Sequence, residues 1–141
     1  MPPFNRIRIP DLLLGEVIEH ARVEMPIECC GLLAGHIENR VGVATTHFPI
    51  GNDLASPTGY LTNARDLFAA FRAMRSGGIE LLAVYHSHPA GEPVPSRRDV
   101  EENTYGESVV HLIVGLTGPE PDVRAWWLTE TGYREVEWAV S

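Results

Sequence analysis

The residues best suited to chemistry lie in one short stretch of the chain, around His86, His88 and Asp99. The two histidines end an apolar run that predicts a buried strand, and side chains two residues apart on a strand point to the same side. Both imidazoles can therefore face one point, and Asp99 follows after a proline-rich loop. Two imidazoles and one carboxylate suit Zn²⁺, and three protein ligands leave the fourth tetrahedral position to water, as catalytic zinc requires. The sequence thus predicts a catalytic metal centre that holds one Zn²⁺ per chain.

Ser96 and Asp99 also fit a simpler interpretation, as the start of a short helix. Serine at the N-cap and an acid at the third helical position are stabilised by capping and by the helix dipole. For these two residues alone the cap is favoured, but the histidine pair before them favours the metal interpretation. Glu28 is a further candidate, because it precedes the apolar residues 29–34 and a buried carboxylate needs a partner or a chemical role. By itself, Glu28 is better explained as a carboxylate exposed to water at a strand end.

The elements that must position these residues follow from hydrophobic periodicity and turn residues. The first helix is expected to begin at a capping Asp11 and to stop at Pro26, a second helix covers residues 63–76, and a short one covers 96–105. Strands are predicted over residues 27–34, 41–48, 79–88, 109–116, 123–128 and 133–140. A turn is expected over 35–40 and a loop over 49–62. This order predicts a mixed β-sheet flanked by helices, an α/β or α+β domain.

Composition limits the class of protein. The 141 residues are enough for one domain, so a single domain over residues 1–141 is predicted. Eleven basic residues, all arginine, against 19 acidic residues give a net charge of −8, which argues against nucleic acid and against an anionic membrane surface as partners. No apolar stretch is long enough for a signal peptide or a membrane span, and the adjacent Cys29 and Cys30 indicate reduced thiols. A cytoplasmic protein is therefore predicted.

Five residues occur at the spacing of a known metalloprotease signature: Glu28, His86, His88, Ser96 and Asp99. Together with the proline after the second histidine, they resemble the JAMM signature of the MPN+ zinc metalloprotease family. Residues 28–35 also resemble the family's glutamate strand, and residues 52–60 resemble a loop of its short prokaryotic members. The resemblance extends from the first helix to the strand at 109–116. It implies a single MPN-type domain with a cytidine-deaminase-like architecture.

The resemblance also implies a role for each residue. His86, His88 and Asp99 would hold Zn²⁺, which lowers the pKa of bound water. Glu28 would accept that water's proton and deliver it to the leaving amine, while Ser96 would stabilise the oxyanion. The implied substrates are bonds after the C-terminal tails of ubiquitin-like proteins or, in bacteria and archaea, of sulfur-carrier proteins ending in Gly-Gly. Such a tail could add as a strand at a sheet edge.

Two other functions stay open: a non-catalytic MPN scaffold that binds partners, and a metal-dependent amidase that acts on a small molecule. The complete ligand set disfavours the scaffold. A metallo-β-lactamase-type site would need Asp and His after the second histidine, where this chain has Ala90 and Gly91. A zinc deaminase would need a Pro-Cys-x-x-Cys segment, and the chain has none.

The other histidines, the cysteines and the tryptophans are predicted to be structural. Cys29 and Cys30 lie in an apolar strand, which favours buried inert thiols over nucleophiles. His111 lies between apolar residues and is predicted to be a core histidine with satisfied hydrogen bonds. No acid or histidine lies at ligand spacing from the other three histidines, which are His20, His36 and His47. The tryptophans are expected to pack in the core; they are Trp126, Trp127 and Trp138. Nothing in the sequence predicts an oligomeric state.

Overall fold

The computed structural model describes residues 2–141 and contains seven strands and three helices in that range. The strands are β1 (Arg6–Ile9), β2 (Cys30–Glu38), β3 (Val41–Ile50), β4 (Glu80–His88), β5 (Val110–Gly115), β6 (Asp122–Leu128) and β7 (Tyr133–Val140). The helices are α1 (Asp11–Glu24), α2 (Ala64–Gly77) and α3 (Arg97–Glu101). The predicted mixed α+β architecture is confirmed. No helix among residues 2–141 has the length and apolar character needed to cross a membrane.

The strands close into a barrel in the order β1-β3-β2-β4-β5-β6-β7. β4 and β5 pair in parallel, β1 pairs in parallel with both β3 and β7, and the other pairs are antiparallel. The sequence prediction misses β1, because a strand of four residues is too short to show a periodic pattern, although Ile7 and Ile9 are fully buried. β1 closes the barrel by pairing with residues 41–43 of β3 and with β7, whereas residues 44–50 of β3 pair with β2 alone. The expectation that a tail could add at a sheet edge stays a prediction.

The predicted turn over residues 35–40 is wrong in its first half, because β2 continues to Glu38. Gly35 lies inside the ladder, where a Cβ atom would collide with the carbonyl oxygen of Val43. This glycine therefore allows two backbones to approach closely instead of ending a strand. The turn itself consists of Asn39 and Arg40, which both have positive φ, as two-residue hairpin turns require.

The helix ends agree only partly with the prediction. Asp11 is the first residue of α1 and not its cap, since Pro10 takes the N-cap position without a side-chain hydrogen bond. Asn63 caps α2 by accepting the backbone N–H of Asp66, and Gly78 ends that helix in the left-handed conformation with φ 66°. α3 ends at residue 101 and not at 105.

Two hydrophobic clusters occupy opposite faces of the sheet. On one face the buried side of α1 packs with Tyr85 of β4, and on the other face α2 packs against Val84. The side chains of β4 alternate between these faces, so His86 lies on the side of Val84, away from Tyr85. The packing predicted for the tryptophans is confirmed, since all three belong to hydrophobic clusters. β4 is therefore the strand that carries the candidate ligands toward α3.

Candidate metal centre

Three ligand atoms converge where the end of β4 meets α3. His86 Nε2 lies 3.1 Å from His88 Nε2 and 3.2 Å from Asp99 Oδ2, and His88 Nε2 lies 3.3 Å from the same oxygen. A tetrahedral zinc ion with ligands at about 2.0–2.2 Å keeps its ligand atoms about 3.3–3.6 Å apart, so this triangle is close to the size that one ion needs. Within residues 2–141, no other group of three His, Cys, Asp or Glu side chains brings its ligand atoms together in this way.

β4 fixes both histidines. Its backbone is bonded to β2 on one side and to β5 on the other, and it holds the two rings on the same face. The ring of His86 is fully buried and stacks on Tyr60, with centroids 4.9 Å apart. Nδ1 of His88 lies 2.7 Å from the carbonyl oxygen of Glu92, to which it donates. That hydrogen bond leaves the lone pair of His88 Nε2 directed at the centre, which is the tautomer that a metal ligand needs.

A capping box holds Asp99 beside the histidines. Oγ of Ser96 accepts the N–H of Asp99 at 3.1 Å, and Oδ2 of Asp99 accepts the N–H of Ser96 at 2.8 Å. The helix-start interpretation of these two residues is thus confirmed, and the same carboxylate oxygen also faces both imidazoles. Because the hydroxyl oxygen of Ser96 serves as an acceptor in the cap, its own hydrogen stays free to donate. Capping and ligation are therefore compatible uses of one short motif.

The electrostatics of the centre favour a cation. Burial raises the pKa of Asp99, but hydrogen bonds with His86 and His88 outweigh burial and hold that pKa well below its usual range. Burial lowers the pKa of His88, and here too the bonds with Asp99 and with the carbonyl of Glu92 prevail, so the pKa is raised. Asp99 is therefore ionised, and His88 binds a proton readily. Both effects show that positive charge is stabilised between these side chains. A metal ion at that point would displace the proton.

Glu28 lies just before β2 and is 5% exposed, so the alternative of a carboxylate open to water is wrong. Its Oε1 atom is buried and has no hydrogen-bond partner. Burial is the largest effect on this carboxyl and raises its pKa to about 7, Asp99 raises it further, and His88 and Arg98 lower it. A carboxyl with a pKa close to neutral pH can both accept and release a proton, as a general acid–base group must.

Hydrogen bonds to neighbouring segments hold Glu28 near the ligands. Its N–H donates to the carbonyl oxygen of Ser56 at 2.9 Å, and its own carbonyl accepts from Nδ2 of Asn52 at 2.9 Å. The N–H of Cys29 donates to Oγ of Ser87 at 2.9 Å, which ties this segment to β4 between the two ligand histidines. Both the loop before α2 and the ligand strand therefore determine where Glu28 lies.

The cysteines behave as predicted. Cys29 and Cys30 are buried, each is a free thiol, and burial raises the pKa of each to about 12. A thiol with such a pKa stays protonated at neutral pH and is a poor nucleophile. Cys30 packs on the face of the sheet that carries His86, whereas Cys29 packs on the opposite face with Tyr85.

A cavity of about 370 Å³ opens beside Asp99. Tyr60 and Leu61 of the loop before α2 line one side, and Tyr105 after α3 lines another. His111 of β5 also lines the cavity, is only 4% exposed, and has no partner for its Nε2 atom. The prediction of a core histidine is right in burial and wrong in its hydrogen bonds.

The sequence does not predict several of the contacts that hold the site in place. Tyr60 lies in a loop without periodicity, so nothing in the sequence pairs it with His86. The acceptor from Glu92 is a backbone carbonyl, which any residue could supply. Nε1 of Trp126 donates to the carbonyl of Pro93 at 2.9 Å and anchors the loop between β4 and α3 to the barrel. The proline-rich composition of that loop is the only local signal of a fixed conformation.

Residues 10–129 match the model of the prokaryotic homologs of the JAB domain. The chain belongs to this family. A probable TtuB-protein conjugate cleaving protease of Thermus thermophilus is 40% identical over 86% of this chain and 76% of its own length. A CysO-cysteine peptidase of Mycobacterium tuberculosis is 36% identical over 74% of this chain and 69% of its own length. The solution structure of a Desulfitobacterium hafniense protein matches with a TM-score of 0.87 at 29% identity, over 96% of this chain and 92% of the other.

Membership of the JAB family agrees with the JAMM resemblance and places the chain in a metal-dependent family. The group formed by His86, His88 and Asp99 is the one that could hold the metal within residues 2–141. This candidate centre lies where the end of β4 meets α3.

Proposed function

We propose that the chain is a zinc-dependent peptidase or isopeptidase that hydrolyses the bond after the C-terminal tail of a ubiquitin-like or sulfur-carrier protein. The convergence of His86, His88 and Asp99 beside the buried, unpartnered Glu28 carries this proposal. The names of the relatives support it, since one is a probable TtuB-protein conjugate cleaving protease and another is a CysO-cysteine peptidase. The complete ligand set disfavours a non-catalytic scaffold.

His86, His88 and Asp99 would hold one Zn²⁺ per chain. Two neutral imidazoles and one carboxylate are a donor set that zinc prefers, and three protein ligands would leave one tetrahedral position for a further ligand. When bound, zinc supplies Lewis acidity and lowers the pKa of water. The chain contributes the rigid placement of these three ligands at the end of β4 and at the first turn of α3.

Glu28 is the proposed general base. Its carboxylate takes a proton from the attacking water, and the resulting carboxylic acid delivers that proton to the nitrogen of the leaving amine. The pKa of about 7 that burial gives this carboxyl suits both steps, since neither protonation state is strongly disfavoured near neutral pH. Ser96 is proposed to donate its free hydroxyl hydrogen to the oxyanion that forms when water adds to the carbonyl.

Substitution of Glu28 by glutamine separates metal binding from catalysis. Glutamine keeps the shape of the side chain and cannot accept the proton, so we expect Glu28→Gln to retain zinc and to lose cleavage by about 10²–10⁴-fold. Zinc content would be measured by atomic emission. Cleavage would be measured on ubiquitin-like proteins with C-terminal extensions, with and without chelator. Glu24→Gln, which alters a half-exposed acid four residues earlier, is the matched control and should cleave normally.

The outcomes distinguish the alternatives. Full cleavage by Glu28→Gln would show that another group is the base. Cleavage that survives the chelator would contradict the metal centre. Partner binding without any hydrolysis would favour the scaffold, whereas hydrolysis restricted to small amides would favour the amidase.

We further propose that residues 1–141 form one domain with the cytidine-deaminase-like arrangement that the resemblance implies, and that the protein is cytoplasmic. Two buried free thiols support a reducing compartment. The net charge of −8 supports a protein partner over nucleic acid or an anionic membrane.

A further inference from the structure

The two ligand histidines differ in how their outer ring nitrogens are satisfied. Nδ1 of His88 donates to the carbonyl oxygen of Glu92. Nδ1 of His86 is buried, and no protein group lies within hydrogen-bonding distance of it. A neutral imidazole that ligates through Nε2 carries its hydrogen on Nδ1, and ligand histidines almost always donate this hydrogen to an acceptor. His86 therefore needs a partner that no direct contact supplies.

The register between β4 and β5 brings a suitable group near. Val84 pairs with His111, and His86 pairs with Ile113, in parallel register. Paired residues on neighbouring strands project to the same face, and so do alternate residues of one strand, so His86 and His111 are diagonal neighbours on one face. His111 is also buried, and its Nε2 atom also has no partner. Two unsatisfied ring nitrogens thus lie on the same face of adjacent strands.

The surroundings of His111 suit a bridging water. The cavity of about 370 Å³ reaches His111 and Asp99, and a water molecule occupies only about 30 Å³. Burial, followed by the nearby His86, lowers the pKa of His111 to about 3, so this ring is neutral and keeps one nitrogen as an acceptor. Tyr105, whose ring centroid lies 6.5 Å from that of His111, forms the adjoining wall.

We propose that His111 is a positioning residue for the metal ligand His86. One buried water accepts the Nδ1–H of His86 and donates to Nε2 of His111, which fixes the tautomer and the rotation of the ligand ring. Stacking on Tyr60 fixes the plane of the same ring. This inference rests on the proposed metal centre. It adds His111, a residue whose sequence position shows no spacing typical of a metal ligand.

Three variants test the role of His111. His111→Phe keeps a ring in the cavity wall and removes the acceptor, so zinc affinity should fall by about 10–100-fold. His111→Gln returns an acceptor oxygen and should restore the affinity to within a few-fold of wild type. Tyr105→Phe removes a hydroxyl from the same cavity and leaves His111 intact, so it should bind zinc normally. Affinity would be measured by competition with a chromogenic chelator, after thermal melting has verified that each metal-free variant is folded.

A nuclear magnetic resonance measurement supplies a signature that a purely structural role would not change. In the zinc-loaded wild type, the Nδ1–H proton of His86 should exchange slowly with solvent, and in His111→Phe it should exchange faster. Equal zinc affinity for His111→Phe and wild type would overturn the inference, as would an affinity of His111→Gln as low as that of His111→Phe. Failure of the wild type itself to bind zinc would overturn the metal centre and this inference together. Normal wild-type binding with an unaffected His111→Phe would overturn the inference alone.

Discussion

β4 carries a histidine cluster on each of its two faces, and the clusters use the same kinds of residue in opposite ways. On one face the ligand atoms of His86, His88 and Asp99 all lie within 3.3 Å of one another. On the other face the hydroxyl of Tyr85 lies 2.6 Å from Nδ1 of His20 and 2.6 Å from Nε2 of His47. In the first cluster three ligand atoms surround one point. In the second, two histidine nitrogens contact the same tyrosine hydroxyl.

We call the second cluster the Tyr85 chain; it consists of Glu16, His47, Tyr85, His20 and Glu24. Nδ1 of His47 lies 3.1 Å from Glu16, whereas Nε2 of His20 lies 3.7 Å from Glu24, which is too long for a hydrogen bond. Neutral His47, Tyr85 and His20 carry one ring or hydroxyl hydrogen each, which matches the three short contacts. The hydrogens fit if His47 donates to Glu16, Tyr85 to His47, and His20 to Tyr85.

This comparison shows that the function of a cluster of histidines and acids depends on which secondary-structure elements carry the side chains, and not on the residue types alone. Two histidines on one strand and an acid on the next helix converge, because the strand and the helix are consecutive elements of the chain. The members of the Tyr85 chain come from α1, β3 and β4, and each ring meets the phenol from a different side. Hydrogens hold the Tyr85 chain together, whereas a cation suits the metal centre.

The largest expected effect comes from removing a ligand on one face and a histidine on the other. His88→Ala should abolish both stoichiometric zinc binding and cleavage, because a loss of one direct ligand exceeds the roughly 10–100-fold cost of losing an outer partner. His47→Ala should keep zinc binding within a few-fold of wild type. Zinc content and chelator competition would measure both. Loss of zinc from His47→Ala would show that the two faces are not independent.

A smaller effect is expected on stability when the phenol is altered. Tyr85→Phe removes the hydroxyl that joins His20 and His47, so the free energy of unfolding should fall by about 1–3 kcal/mol while zinc affinity stays unchanged. Urea denaturation would measure the change. Tyr133→Phe, at a half-exposed tyrosine, is the control and should be close to neutral. A stability of Tyr85→Phe equal to wild type would mean that the Tyr85 chain contributes nothing to folding.

The smallest effect concerns pH. Burial lowers the pKa of His20, opposed by Glu24 and aided by His47, and burial also lowers the pKa of His47 against the opposing effect of Glu16. Below about pH 6.5 the unfolded chain therefore binds more protons than the folded chain, and stability falls as the pH falls toward the lowered folded values. We expect His20→Gln to lose stability less steeply on acidification than wild type. Urea titrations from pH 7.5 to about 5, with the metal ligands saturated by zinc, would measure this difference, and parallel curves would contradict it.

The sequence predicts the metal face far better than the opposite face, and the reason is distance along the chain. His86, His88 and Asp99 lie within 14 positions, so strand alternation and a helix cap suffice to bring them together. His20 and Tyr85 are 65 positions apart, and His47 and Tyr85 are 38 apart, so only the tertiary fold joins them. His20 and His47 accordingly show no ligand spacing, and Tyr85 is hidden in an apolar strand.

The same distinction applies to the fold. Six strands and three helices are predictable because each is long enough to show a period or is bounded by proline, glycine or a cap. β1 is not, and its pairing with β3 and β7 is what closes the barrel. The bridge proposed through His111 is likewise set by the register between β4 and β5, which the residues of one strand alone do not determine.

Closure of the barrel has a consequence for a protein whose proposed substrate is an extended tail. An open sheet would present a row of unpaired N–H and C=O groups, which can capture any strand-like segment and seed aggregation. Here the four residues of β1 pair with residues 41–43 of β3 and residues 137–140 of β7, which shortens such a row. Residues 44–50 of β3 pair with β2 alone, so a strand-like tail could still add along that segment but not along the segment that β1 covers.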